Sequence, residues 1–302
     1  MKISRAIEQY IEMKHVMGIS FGEGTKVLHA FRIYSGDISL RSVKKWQVLG
    51  FLGRSTLADV TWLLRYRILK AFFEFWRARD KLADLPMPHS RGSRPARTFV
   101  PYIYSIPELR RLLGKIAVRR RSQPDEFGAD TFRAILLFLY GTGSRINEAL
   151  SLRREDVDFE QGTVTFRRAY PARSRTVPLG PRLCSALREY GSLDNMQSDR
   201  KCFFSRNNGQ SIRPVAISLS FKMLRRQAGI ARPRDAPRQP RVQDLRWTFA
   251  VHTLRQWHRK RKDLRSLLGV LGAYLGHVDL TSTEAYLAVT PQRFLAQLSS
   301  LS

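Results

Sequence analysis

Acidic residues, cysteines and long apolar runs are all scarce in this chain. The two cysteines, Cys184 and Cys202, form no CxxC pair and have no histidine cluster beside them, so neither a disulfide framework nor a zinc site is expected. There is no run of about 18 apolar residues, no signal-peptide pattern and no lipidation motif, which argues against a membrane span or a lipid anchor. Carboxylates are not clustered at metal-ligand spacing, and the expectation is an activity with no metal and no cofactor. Internal repeats and low-complexity stretches are missing as well.

What the chain does have is positive charge. Lys and Arg number 53 against 25 Asp and Glu, a formal net charge of +28, and the sequence pI is near 11.1. Solubility alone asks for a net charge of about 2–8, so the excess implies a polyanionic partner. It is spread along the chain rather than held in a tail, and therefore belongs to faces of folded domains that neutralise phosphates and release counterions. A membrane surface is the rival partner. With no span or anchor in the text, the reading turns to nucleic acid and to a cytoplasmic, nucleoid-associated protein. Ribosomal and architectural proteins share such a balance, so charge names a partner class and not an activity.

With 302 residues and 43% hydrophobic content, two domains are expected. Residues 1–84 read as a small helical domain, with apolar residues at Ile3, Ile7, Tyr10 and Ile11, at Leu28 and Phe31, and along a long run through Leu63, Leu64, Ile68 and Phe72. That run also carries Trp62, Phe73, Phe75 and Trp76. These aromatics could stack on bases, but helical spacing favours packing. Residues 85–102, rich in proline, glycine, serine and arginine, read as an extended basic linker in which Arg91, Arg94 and Arg97 cross a phosphate backbone. Residues 103–302 form the second domain. A helix opens at Ser105-Ile-Pro-Glu108, and another runs through TFRAILLFLYGTG to its glycines. Alternating residues broken near Gln161-Gly162 and near Pro171 predict a small β-meander, and helix returns from about Val215. The fold class is mainly α with one small antiparallel sheet.

Four pieces of the second domain carry chemistry. GTGSRINEAL delivers Arg145 after a glycine-ended helix, VQDLRWTFA places Gln243 and Arg246 at the start of another, YLGH sets His277 after a glycine turn, and TEAYL puts Tyr286 nine residues later. A tyrosine phenolate can attack phosphorus and conserve the bond energy as a phosphotyrosine. Two guanidiniums suit the non-bridging oxygens because each is planar, always charged and offers paired donors. A histidine can donate to the same phosphate or move the nucleophile's proton. Singly, each residue has a plain structural account: Arg145 as an i,i+3 partner of Glu148, Arg246 as a solvated helix residue, His277 as a cap, Tyr286 as a packed ring. One active site explains all four in order.

In that order the text resembles the tyrosine recombinase, or phage integrase, family, which is marked by a TGxRxxE box, an HxLRHTFA box, an LGH box and a tyrosine about nine residues beyond. The resemblance covers about Arg94 to Leu295, and the 31-residue spacing from Arg246 to His277 resembles the transposon-borne subgroup. It implies a helical core-binding domain joined to an α+β catalytic domain. It also implies metal-independent cleavage and rejoining of double-stranded DNA at specific sites through a 3′-phosphotyrosine, by a homo-tetramer or by a hetero-tetramer with sister recombinases.

Two departures stand out. Glutamine occupies position 243 where the family has histidine; its amide can still donate to a phosphate oxygen, but it cannot shuttle a proton. The family's hairpin lysine, the general acid, aligns near Tyr170, and RRAYPARSR contains none. Arg168 and Arg173 lie nearby and suit DNA contact, yet a guanidinium titrates above about pH 12 and is a poor acid. Two other functions therefore compete: a catalytically weakened DNA-binding accessory subunit, and a type IB topoisomerase-like enzyme that shares the chemistry but relaxes supercoils alone.

Overall fold

A computed structural model describes residues 1–17, 19, 21–53, 59–88, 101–119, 127–167, 174–193, 201–234, 236 and 238–277. Arg91, Arg94, Arg97, Arg168, Arg173 and Tyr286 lie outside the described residues. The chain divides into two compact units, the first Met1–Phe99 and the second comprising Val100–Arg167 and Ser174–Ser302.

The first unit is helical: α1 (Ile3–Val16), α2 (Gly22–Ser35), α3 (Lys45–Gly53) and α4 (Asp59–Arg77). Each helix turns one apolar stripe inward, and the stripes share a core built on Ile3, Ile7, Leu28, Phe31, Val48, Leu69 and Phe72. The aromatic run of α4 is packing, as its spacing favoured. Phe72 and Phe73 are fully buried, Trp62 and Trp76 nearly so, and Tyr10 meets Phe72 and Phe75 edge-on at 5.4 and 5.0 Å. Leu85 and Met87, at the start of the expected linker, pack on the same core, and the Tyr66 hydroxyl donates to the Pro88 carbonyl at 3.2 Å.

The second unit runs α5 (Ile106–Arg119), α6 (Ala129–Thr142), α7 (Ile146–Leu150), β1 (Val157–Asp158), β2 (Thr163–Phe166), β3 (Arg175–Pro178), α8 (Pro181–Leu193), α9 (Pro214–Gln227), α10 (Asp244–Arg259) and α11 (Leu264–Leu275). Ser105 and Glu108 form a capping box at the start of α5: the Ser105 backbone N–H donates to the Glu108 carboxylate at 2.7 Å, and the Glu108 N–H donates back to the Ser105 hydroxyl. The strands form one antiparallel sheet in the order β1-β2-β3, turning at Gly162, whose φ of 61° is the left-handed conformation that a residue without a Cβ adopts at no cost. Helix α6 is apolar around most of its circumference and is the unit's central element. Phe132, Ile135, Leu136, Phe138 and Leu139 are all buried, and α5, α8 and α10 pack against it. A smaller cluster of Ala250, Leu254, Leu271 and Leu275 joins α10 to α11. Both cysteines are free and partly buried. Among the described residues, no helix is long and apolar enough to cross a membrane.

The Phe138 ring is fully buried, with Phe204 at 5.5 Å and Phe166 at 5.9 Å. Phe138→Ala is expected to lower unfolding free energy by about 3–5 kcal/mol, read from a shift in the urea midpoint with little change in slope.

Candidate active site

The site is assembled where three helix ends meet, and the first is the junction of α6 and α7. Helix α6 stops because Gly143 takes the left-handed conformation, φ 61° and ψ 17°, and returns its N–H to the Leu139 carbonyl. The Thr142 hydroxyl donates to the Phe138 carbonyl at 2.7 Å, and it contacts the Ser144 hydroxyl at 3.0 Å, fixing the turn that follows. Arg145 is the N-cap residue of α7, with extended backbone. Glu148, three residues on, accepts from the Arg145 backbone N–H at 2.9 Å, which is the returning half of a capping box. The Arg145 guanidinium is thereby held at the surface, its side chain 47% exposed and its nearest Glu148 contact a long 3.5 Å.

The second end is the start of α10. Asp244 accepts from the Arg241 backbone N–H at 2.8 Å; burial is the main influence on its carboxyl and pushes it up, with Arg241 pulling it back. Thr248 bonds back to the Asp244 carbonyl and accepts from the Tyr104 N–H at 3.0 Å. With α10 so fixed, Leu245 faces the core and Arg246 is 5% exposed. A guanidinium at that depth needs acceptors. Arg246 donates through Nη1 to the Gly143 carbonyl at 2.7 Å and through Nη2 to the Leu275 carbonyl at 2.9 Å. Both carbonyls belong to helix C-termini, where backbone acceptors lack intrahelical partners and the dipole favours a cation.

The third end is that of α11. Gly276 adopts φ 68°, and the His277 N–H donates to the Gly272 carbonyl at 2.9 Å, so the chain turns sharply and presents the imidazole beside Arg246. Nη2 of Arg246 lies 2.9 Å from His277 Nε2. Guanidinium nitrogens only donate, so in this contact Nε2 is the acceptor. Gln243, just before α10, accepts from the Ile146 N–H through Oε1 at 3.5 Å. Residues 143 and 146 are thus bonded to Arg246 and Gln243, and Arg145 stands between them.

The structure therefore brings together Arg145, Gln243, Arg246 and His277 of the residues expected from sequence. It adds one that the sequence reading missed. Arg175, on β3, makes a bidentate pair with Glu148 at 2.9 and 3.0 Å, donates through Nε to the Tyr274 carbonyl at 2.9 Å, and lies 4.3 Å from the centre of the Phe166 ring. Strand alternation was the available signal, since Arg175 shares the inward face with Val177. Tyr274 is the tyrosine of α11. Its hydroxyl donates to the Pro178 carbonyl at 3.1 Å, its ring stacks on Phe249, and burial, opposed by Arg175, pushes it up to about 12, so it is held as a phenol. No group of three or more His, Cys, Asp or Glu that could hold a metal ion occurs among the described residues.

Residues 122–293 match the model of the phage integrase family. The chain is 28% identical over 294 residues to the Sinorhizobium fredii protein y4rB, whose name assigns it provisionally to integrases and recombinases, covering 95% of this chain and 93% of that protein. It is also 32% identical over 161 residues to the tyrosine recombinase XerA of Pyrococcus furiosus, covering 52% of this chain and 50% of XerA. Among solved structures, the Tn1549 transposon integrase in complex with transposon right end DNA is similar in fold, with a TM-score of 0.69 at 16% identity over 100% of this chain and 99% of that one. A λ integrase dimer bound to a core site gives a TM-score of 0.63 at 15% identity, covering 93% of this chain and 97% of that one.

A Cβ on Gly143 would sit 2.5 Å from Phe249 Cδ1 and 2.8 Å from Leu275 Cδ2, at a positive φ. Gly143→Ala is expected to cost about 1–3 kcal/mol of stability in urea unfolding. Because the displaced carbonyl is an acceptor of Arg246, activity should fall further than stability does.

Proposed function

The chain belongs to the phage integrase family, the tyrosine recombinases, and from that premise we propose that it cuts and rejoins double-stranded DNA at specific sites through a 3′-phosphotyrosine formed on Tyr286. The observation that carries this reading is the buried Arg246 guanidinium placed 2.9 Å from His277 Nε2, with Tyr286 nine residues beyond in the sequence. A buried, always-charged donor group at a junction of helix ends is preorganised for phosphate, because it has already lost its water. Arg145, exposed beside it, supplies the second clamp on the non-bridging oxygens.

In the proposed reaction the Tyr286 oxygen forms a bond to phosphorus as the bond to the 5′ oxygen breaks. The phenolic proton leaves by way of His277 or water, and the departing 5′ oxygen takes up a proton. The 5′ hydroxyl of a partner strand then attacks the phosphotyrosine, restoring the tyrosine and joining the strands, with four protomers holding two sites. Gln243 can donate its amide N–H to the phosphate, but the arrangement gives it no route for proton transfer. With no lysine in the expected hairpin either, slow cleavage follows unless the acid comes from elsewhere. Those two replacements favour, as a second reading, an accessory subunit that binds DNA beside active sister recombinases.

The net charge of +28 predicts DNA affinity that falls steeply with salt, with a log–log slope of several units in filter-binding or anisotropy titrations. A nearly flat salt dependence would remove the basis of the DNA reading.

Nicked duplexes copied from the ends of the element that carries the gene should trap a covalent protein–DNA species, since the short cleaved fragment diffuses away. Tyr286→Phe should abolish that species while leaving affinity nearly unchanged, and Arg145→Ala or Arg246→Ala should slow its formation by about 100-fold or more. Gln243→His should speed it. An adduct that persists in Tyr286→Phe means a different nucleophile; none on any element end, with sister recombinases supplied, means the accessory reading.

A further inference from the structure

Arg175 has no direct role in the reaction above, yet it makes a bidentate ion pair with Glu148. Its side chain is 11% exposed and that of its partner Glu148 is 14% exposed. Both carboxylate oxygens are engaged at 2.9 and 3.0 Å, and the remaining Nε–H goes to the Tyr274 carbonyl. The same carboxylate faces the Arg145 guanidinium, but only across 3.5 Å and at the surface. Glu148 thus stands between two arginines and is held by the one on β3. In sequence Tyr274 precedes Leu275, whose carbonyl accepts from Arg246, and His277 follows two residues later.

Building on the recombinase reading, we propose that Arg175 is a positioning residue: it occupies the Glu148 carboxylate so that Arg145 stays available to the DNA phosphate, and it ties that carboxylate to the end of α11 where Arg246 and His277 meet. The physical reason is competition for one anion. A sheltered carboxylate deprived of its partner draws in the nearest cation, because an unpaired charge with little solvent is costly. Arg145 lies within reach of Glu148 and would be captured by it, lost to the phosphate without any change in its own chemistry. Lysine cannot replace Arg175 fully, since an ammonium is a point charge that cannot hold two carboxylate oxygens and a carbonyl in one plane.

The test compares wild type, Arg175→Met, Arg175→Lys and the double variant Arg175→Met/Glu148→Gln. Glutamine keeps the capping box of α7 while removing the anion that captures Arg145. With saturating nicked duplex, Arg175→Met should form the covalent adduct about 100-fold more slowly at nearly unchanged DNA affinity, Arg175→Lys should fall between, and the double variant should recover at least about tenfold over Arg175→Met. A second readout needs no activity. Modification of Arg145 by a guanidine-specific dicarbonyl reagent, followed by peptide mass spectrometry, should slow several-fold in Arg175→Met and recover in the double variant. Equal Arg145 reactivity in wild type, Arg175→Met and the double variant, or a double variant as slow in adduct formation as Arg175→Met, overturns the proposal. If wild type yields no adduct while Arg145 reactivity follows the expected order, the recombinase reading fails and the role of Arg175 stands. If wild type yields the adduct and the order is absent, the reverse holds.

Discussion

A guanidinium that is 5% exposed has lost most of its water, and the second unit is arranged to replace what was lost. Arg246 reaches the carbonyls of Gly143 and Leu275, each at a helix terminus that had an acceptor to spare. Because one side chain bonds to both, the ends of α6 and α11 are held to the start of α10, and any shift of one helix is felt by the other two. The positive φ of Gly143 and of Gly276, the bond from the Arg241 N–H to Asp244 at the start of α10 and the packing of Phe249 on Tyr274 all serve that junction. So does the largely apolar α6, which gives the junction a fixed floor.

This arrangement separates two kinds of cation. Arg246 is buried and donates to two carbonyls at helix ends. Arg175 is sheltered and already fully paired with a carboxylate. Arg145 stands outside both, close to a carboxylate that is held by Arg175. A net positive charge of 28 could easily have produced a site in which every arginine repels the next. Glu148 tempers this by facing both Arg145 and Arg175.

The sequence was most informative where chemistry demands residue types in order. Arg145, Gln243, Arg246 and His277 were picked out by their boxes, and the structure brings them together. The helical first unit, the packing role of the α4 aromatics, the Ser105–Glu108 cap, the glycine stop of α6 and the three-stranded meander were also legible, because each follows from periodicity or from a turn residue. Arg175 was not picked out. It sits beside the hairpin in which the family has a lysine, and an arginine at the end of a run of arginines carries no mark of burial. Its partner lies 27 residues away in sequence, and only the register Phe166↔Arg175 turns it toward Glu148. The acceptors of Arg246 were equally hidden, being backbone carbonyls that no side-chain pattern reports.

The register of β2 and β3 has an evolutionary consequence. Phe166 pairs with Arg175 and Val164 with Val177, while the Tyr274 hydroxyl fastens the Pro178 carbonyl at the far end of β3. Inside this frame a single inserted or deleted residue would turn Arg175 to the opposite face, since side chains alternate with a period of two. An insertion between positions 167 and 174 leaves the alternation within β3 itself unchanged, so Arg175 and Val177 keep one face. A lineage can therefore vary that stretch while the pairing of Arg175 with Glu148 is inherited intact.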